Sequence, residues 1–416
     1  MAQPDAPHAP DAAQQQHDDD EFHDDIIYPS PVPFVLVHVA AFAAIWTGVT
    51  ASALLLCGAL YLLRMFAVTA GYHRYFSHRT YRTSRVFQFV LAFLAESTTQ
   101  KGVLWWAAKH RHHHKHADTE EDVHSPRMRG FWYSHWGWIF DPKHDDTDFD
   151  AVPDLAKYPE IRWLNKYEKL PPVLLGLACY LAGGWTWLVV GFVWSTVLVY
   201  HGTFMINSLA HVHGTQRYVT GDDSRNNWWL AIITLGEGWH NNHHAYMANT
   251  RQGFRWYEYD PTYYALKALS WAGVVWDLNE PPAAIVNNEK KLGRGVVDKV
   301  ARQLAATFPV ERISQQVRDA WAQTPGLPSL DEFKTRAAAA RAGAEQAVSA
   351  ALADVHLPEL PHLPSREEVR RRAQEMFAHT PSMDEIAERA RQLVAERVSA
   401  ELLRSLNPSG SAVPRA

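Results

Sequence analysis

The chain has 416 residues, 40 Lys and Arg against 45 Asp and Glu, a formal net charge of -5, and two cysteines. The lack of a basic excess excludes nucleic acid as an expected partner. Two cysteines are too few for an Fe–S cluster or a thiolate zinc site, so Cys57 and Cys179, each inside an apolar run, are read as small buried residues.

In chain order, residues 1–30 are acidic and rich in Pro and Gln. They lack the basic start and apolar core of a secretory signal and are expected to form a disordered arm. From Pro33 to Gly71 the sequence is apolar, interrupted only by His38 and Arg64. At ~20 residues per crossing this is enough for two membrane spans, with "WTGVT" at 46–50 as the turn. Arg74, Arg79, Arg82 and Arg85 then mark a cytoplasmic end. A second run, Pro171 to Ala210, has no Lys, Arg, Asp or Glu, and "AGGW" at 182–185 is its expected turn. Three apolar segments, 86–95, 131–140 and 228–235, are too short to span and are expected at the interface or buried. The region 286–416 is rich in Ala, Arg and Glu. "VVDKVARQLAATF", "LDEFKTRAAAARAGAEQAVSAAL" and "SREEVRRRAQEMF" read as amphipathic helices, with Pro-rich breaks such as "HLPELPHLPS".

Histidine is over-represented, at 23. "HRYFSH" carries His73 and His78. "HRHHH" carries His110, His113 and His114, and "HNNHH" carries His240, His243 and His244. The last two share H-x-x-H-H, and positions i, i+3 and i+4 lie on one helix face. His112 and His116 fall on another face. "NSLAH" places Asn207 and His211 at the end of the fourth span. Two complete hairpins would bring the ends of spans two and four to the same side, provided 86–108 does not cross. Nine imidazoles are too many for one metal and enough for two, and ligand type alone admits Zn, Cu, Fe or Ni. The expected architecture is all-α and integral to the membrane. It has four transmembrane helices in two hairpins and a cytoplasmic helical cap holding a His-rich dimetal site, within residues 31–285.

Residues 30 to 285 resemble the membrane fatty acyl desaturases, specifically the acyl-CoA delta-9 (stearoyl-CoA) type. The resemblance rests on "GYHRYFSHRTY", "WWAAKHRHHHKHAD", "GFWYSHWGWIF", "NSLAHVHG" and "GEGWHNNHHAY". It implies a non-haem di-iron centre, with His73, His78, His110, His113, His114, His211, His240, His243 and His244 as ligands and Asn207 acting through water. It also implies that O2 and two electrons convert a long-chain saturated acyl-CoA to a cis monoene and water. Gln100, Trp106 and Thr203 would bend the substrate tunnel or serve ordinary helix packing. Tyr61 and Met65 would line its closed end. Arg127 and Arg129 would meet coenzyme A phosphates, or else headgroups or solvent. The sequence shows neither the G-x-G-x-x-G of a dinucleotide fold nor the "HPGG" of a fused cytochrome. A separate donor is therefore expected: ferredoxin, or a b-type cytochrome with its reductase. The C-terminal helices would dock that donor, lie on the bilayer, or form a plain helical appendage. The expected location is a bacterial inner membrane, with both termini and the active site cytoplasmic. Within the favoured class, acyl-lipid and acyl-carrier-protein substrates stay open. A di-iron alkyl or lipid hydroxylase shares the histidine boxes, but the Asn207/His211 motif counts against it. A metal transporter would place its ligands inside the spans, whereas these histidines sit at span ends.

Overall fold

The structure, a computed structural model, describes residues 31–323 and 363–405. The expected N-terminal arm, the helix expected at 330–352 and most of the Pro-rich break at 356–365 lie outside the described residues. Contacts divide the chain into two units. One is Met1–Gln216 with Asp222–Val286; the other is Arg217–Gly221 with Asn287–Ala416.

In the first unit, α1 (Pro31–Ala41) and a further helical turn, Ala44–Thr47, lead to Gly48, whose φ of 72° is open to glycine without strain. Thr50 then caps α2 (Ala51–Phe66), accepting from Ala53 N at 3.3 Å. α2 continues into a π-helix, Ala67–Ser77. Next come α3 (Arg85–Glu96) and α4 (Val103–His116). α5 (Leu170–Thr186) breaks at Gly183 and Gly184, where Gly184 has φ 63° and a Cβ on Gly183 would lie 2.1 Å from the Trp187 ring. The chain folds back there: a Cβ on Gly176 would meet Phe192 at 3.3 Å and Leu188 at 3.6 Å. The returning arm comprises a second π segment, Trp187–Val193, then α6 (Trp194–Asn207) and a 3-10 turn, Leu209–His211.

Thr186 Oγ1 donates to Thr47 O at 2.7 Å, so the two chain reversals lie together. Trp194 Nε1 donates to Ala41 O at 2.9 Å, and Arg64 donates to Ser195 Oγ and Thr196 Oγ1. The returning arm is thereby bonded to both α1 and α2. From the shared turn, α2 and α6 deliver His73, His78, Asn207 and His211 to the opposite end. Ala51–Ser77 and Leu170–His211 are long and apolar enough to cross a membrane, and Pro31–Thr47 is a shorter apolar helix. α3, at 12 residues, is too short to span.

Around the histidine end lie α7 (Trp228–Ile233), α8 (His240–Ala245) and α9 (Pro261–Trp271). A two-residue antiparallel ladder pairs β1 (Arg82–Thr83) with β2 (Val275–Trp276). The core beneath them includes Tyr72, Phe76, Leu91, Leu104, Leu164 and Leu266.

In the second unit, α10 (Arg294–Ala306), α11 (Val310–Gln323), α12 (Arg366–Met376) and α13 (Met383–Ser405) share one apolar core, with Val300, Leu304, Val369, Ile386 and Val394 fully buried. α10 and α12 are two of the helices that the sequence predicts to be amphipathic. Each buries its stripe against the others, as an apolar stripe on a helix needs a packing partner.

Candidate metal centre

The spacing H-x4-H needs an unusual backbone. In an α-helix, residues five apart are about 140° out of phase. The π winding of Ala67–Ser77, with His78 N bonded to His73 O at 3.3 Å, brings the two side chains to one side. α4 is held at its start by Asn165 Oδ1, which accepts from Leu104 N at 2.9 Å, and by Glu96 Oε1, which accepts from Val103 N at 3.0 Å. Gly102 leaves the room for this, since a Cβ there would sit 2.2 Å from Asn165 Oδ1.

The nine sequence-identified histidines gather in two groups. His73, His78, His110, His114 and His243 form one; His113, His211, His240 and His244 form the other. Within each group the candidate ligand atoms lie within 4.8 Å of one another. Each H-x-x-H-H helix serves both groups. α4 gives His110 and His114 to the first and His113 to the second; α8 gives His240 and His244 to the second and His243 to the first. At ~100° per residue, positions i and i+4 differ by about 40°, while i+3 lies on the other edge of the stripe. The exchange follows from that geometry.

Ring nitrogens meet at 3.0 Å for His73–His243, 2.8 Å for His78–His110, 3.0 Å for His114–His110, 2.9 Å for His243–His114 and 3.0 Å for His211–His240. With metal–nitrogen bonds of ~2.1 Å, ligands at right angles stand about 3.0 Å apart and tetrahedral ones about 3.4 Å. The observed spacings are short enough for the rings of each group to reach one shared ion.

Carboxylates fix the far side of four rings. Asp122 Oδ1 lies 2.9 Å from His113 Nδ1, Asp118 Oδ2 3.2 Å from His211 Nδ1, Asp222 Oδ2 2.9 Å from His244 Nδ1, and Glu237 Oε2 2.5 Å from His73 Nδ1. A carboxylate on Nδ1 leaves Nε2 as the metal-binding atom. His113 Nε2 and His244 Nε2 are buried and have no hydrogen-bond partner in the protein, the state expected of ligands. Burial would raise the carboxyls of Asp118, Asp122, Asp222 and Glu237, but the facing imidazoles hold all four below the usual range. Burial, and then neighbouring imidazoles, push His78, His110, His114, His240 and His243 well below 6.5, keeping them neutral. Arg74, which also touches Glu237, is matched by Asp260. The four carboxylates stand behind the histidine groups, where their charge would favour bound cations. The donor set fits a metal pair.

The four carboxylates and His124 were absent from the sequence-derived set. His124, pushed down to about 3 by burial and His113, forms a further potential group with His113 and Asp122. The signal that could have found the carboxylates is chemical: a metal-binding imidazole needs a partner on its other nitrogen, and "HAD", "EEDVH", "GDD" and "GEGWH" flank the boxes. His112 and His116 turn elsewhere, stacking at 4.6 Å, with His112 Nε2 2.8 Å from Glu121 O.

A cavity of about 920 Å3, within the usual range of ligand sites, is lined by His110, Asn207, Gln100, Trp106 and Thr203, and extends past Gly176 to Tyr180 and Trp185. Gln100 Nε2 donates to Thr203 Oγ1 at 3.1 Å, and Trp106 stacks between Tyr72 and His110 at 5.3 and 4.9 Å. Asn207 lies on the cavity wall. Tyr61 and Met65 pack against Gly202 and do not line this cavity. Arg127 forms a two-pronged ion pair with Asp223, with Nε donating to Oδ2 at 2.6 Å. Arg129 donates to Tyr133 OH at 2.9 Å and lies 3.8 Å from Asp141.

The chain is 35% identical over 244 residues to the acyl-CoA 5-desaturase AL21 of Anemone leveillei, covering 58% of this chain and 73% of the relative. It is 37% identical over 223 residues to the palmitoyl-monogalactosyldiacylglycerol delta-7 desaturase, chloroplastic, of Arabidopsis thaliana, covering 53% and 60%. It is 38% identical over 209 residues to the sn-1 stearoyl-lipid 9-desaturase of Anabaena variabilis, covering 50% and 76%. The fatty acid desaturase model matches residues 45–276, which hold every histidine of both groups. The chain belongs to the fatty acid desaturase family.

Proposed function

We propose that this protein introduces a cis double bond at carbon 9 of a long-chain saturated acyl-CoA, using O2 and electrons from a separate donor, at a di-iron centre held by the two histidine groups. The observation that carries the reading is the split of nine imidazoles, five buried and four half-buried, into two groups, with His110 of the first on the wall of the cavity. When bound, such a metal pair supplies the O2 chemistry that removes two hydrogens from an unactivated alkyl chain. The protein's own residues position and exclude. The apolar cavity takes the chain, the Gln100–Thr203 pair and Trp106 fix its course past His110, and the carboxylates hold His73, His113, His211 and His244 in the ligating tautomer. In this reading Pro31–Thr47, Ala51–Ser77 and the two arms of Leu170–His211 are four spans, and the histidine end faces the cytoplasm across a bacterial inner membrane.

A second reading, a lipid-borne acyl chain, has its own support. The Anabaena variabilis relative is named for stearoyl-lipid at position 9, and Arg127 and Arg129, expected for coenzyme A, are engaged by Asp223, Tyr133 and Asp141.

The test is the fatty-acid profile of a host expressing the chain with a donor system, with double bonds located by mass spectrometry. New C16 or C18 monoenes unsaturated at carbon 9, lost in His113→Ala and His243→Ala, are expected. Hydroxy acids would replace the reading with a hydroxylase. Assay of purified enzyme with acyl-CoA against acyl-lipid vesicles separates the two substrates.

A further inference from the structure

Arg111 stands between His110 and His113, yet its guanidinium is used up elsewhere. Nε donates to Ser77 O at 3.0 Å. Nη1 donates to Ala151 O at 3.0 Å and Asp154 Oδ1 at 2.7 Å. Nη2 donates to Phe76 O at 3.0 Å and Asp154 Oδ2 at 3.1 Å. Five bonds exhaust its five donors.

Two of the acceptors, Phe76 O and Ser77 O, belong to the last turn of the π-helix, where carbonyls lack partners within the helix. Ser77 C=O and His78 N–H share one rigid peptide plane. Arg111 holds one edge of that plane, and His73 O holds the other through His78 N at 3.3 Å. The peptide that aims His78 is thus clamped between a candidate ligand of its own group and the helix that carries His110 and His114.

We infer that Arg111 is a positioning residue for the five-histidine group: it sets His78, and through His78 the affinity of one metal position but not the other. α4 does not depend on Arg111 for its own place. Asn165 and Glu96 hold its start, and Asp122 holds His113. Loss of the guanidinium frees the 76–78 end and its tie to Ala151 and Asp154, and leaves the start of α4 held. Asp154 is the shared anchor, since Arg79 Nε also donates to its Oδ2 at 3.0 Å, but Arg79 makes no bond to the two carbonyls.

The inference rests on the dimetal reading. Its test uses the purified full chain, stripped and titrated anaerobically with Fe(II), with bound metal counted by mass spectrometry and thermal unfolding of the metal-free form as control. Wild type is expected to take two metals. Arg111→Gln is expected to retain one, the dissociation constant of the other rising roughly 10–100-fold, with metal-free unfolding unchanged. Arg111→Lys should behave like Gln, because one ammonium cannot span two carbonyls and a carboxylate. Arg79→Gln should keep both metals. Two metals bound with unchanged affinity in Arg111→Gln overturns the inference. So does loss of both metals together with a lowered unfolding temperature, the mark of a general structural role. A wild-type chain that takes up no metal overturns the metal centre itself, and the role of Arg111 with it.

Discussion

His113 meets Asp122 at 2.9 Å through Nδ1 while its buried Nε2 has no protein partner. The carboxylate decides which nitrogen carries the proton. Asp122→Asn keeps the shape, but its amide N–H can donate to Nδ1 and drive the proton onto Nε2. Metal affinity at the four-histidine group should fall by roughly 10–100-fold, read as metal content after dialysis and as turnover. Wild-type metal retention would refute the tautomer argument.

The metal-free protein should be acid-sensitive well above the carboxylate range. His78, His110, His114, His240 and His243 titrate well below 6.5 when folded and near 6.5 when unfolded. Below that pH the unfolded chain binds protons that the folded chain refuses, so stability is present above about 6.5 and drains as pH falls. Each such group contributes a slope of about 1.4 kcal/mol per pH unit. Asp118, Asp122 and Asp222, depressed below 3.8, extend the loss in the same direction at lower pH. Thermal unfolding against pH checks this; a flat profile from pH 7 to 5 would contradict it.

Glu96 acts with the opposite sign. Burial raises its carboxyl from 4.5 to about 8 while Oε1 accepts from Val103 N. The folded chain keeps a proton that the unfolded chain has lost, so this contribution is complete below pH 4.5 and vanishes as pH rises through 8. Glu96→Gln should match wild type near pH 4.5 and exceed it at pH 8, by at most on the order of 5 kcal/mol. Equal pH slopes in the two proteins would rule this out.

Chain length should respond to the cavity wall. Gly176→Leu places a side chain where even a Cβ stands 3.3 Å from Phe192, and should shift products toward shorter chains. Met65→Ala, at a buried site outside the cavity, should cost about 2–5 kcal/mol of stability and leave chain length unchanged. Product profiles of the two variants decide between these walls.

The sequence made the histidines legible because their spacing is local. H-x-x-H-H reads as one stripe without any tertiary knowledge, and "WTGVT" and "AGGW" announce their reversals through glycine. Pairing was not legible. That His113 joins His211, His240 and His244 rather than its neighbours depends on which edge of α4 faces α8. The carboxylates were hidden by distance: Asp118 serves His211, 93 residues on, and Asp222 precedes His244 by 22. In the second unit, amphipathic stripes predicted helices but not that they would meet one another.

The exchange of histidines between α4 and α8 bears on biogenesis. Neither group can close until His243 and His244 have been synthesised, after both apolar hairpins. The π winding that aims His78 is likewise clamped by Arg111, made 33 residues later. Under the proposed function, metal capture would be the last step in the maturation of this unit rather than its nucleus, and a chain starved of metal should still pack its helices and wait, folded and empty-handed.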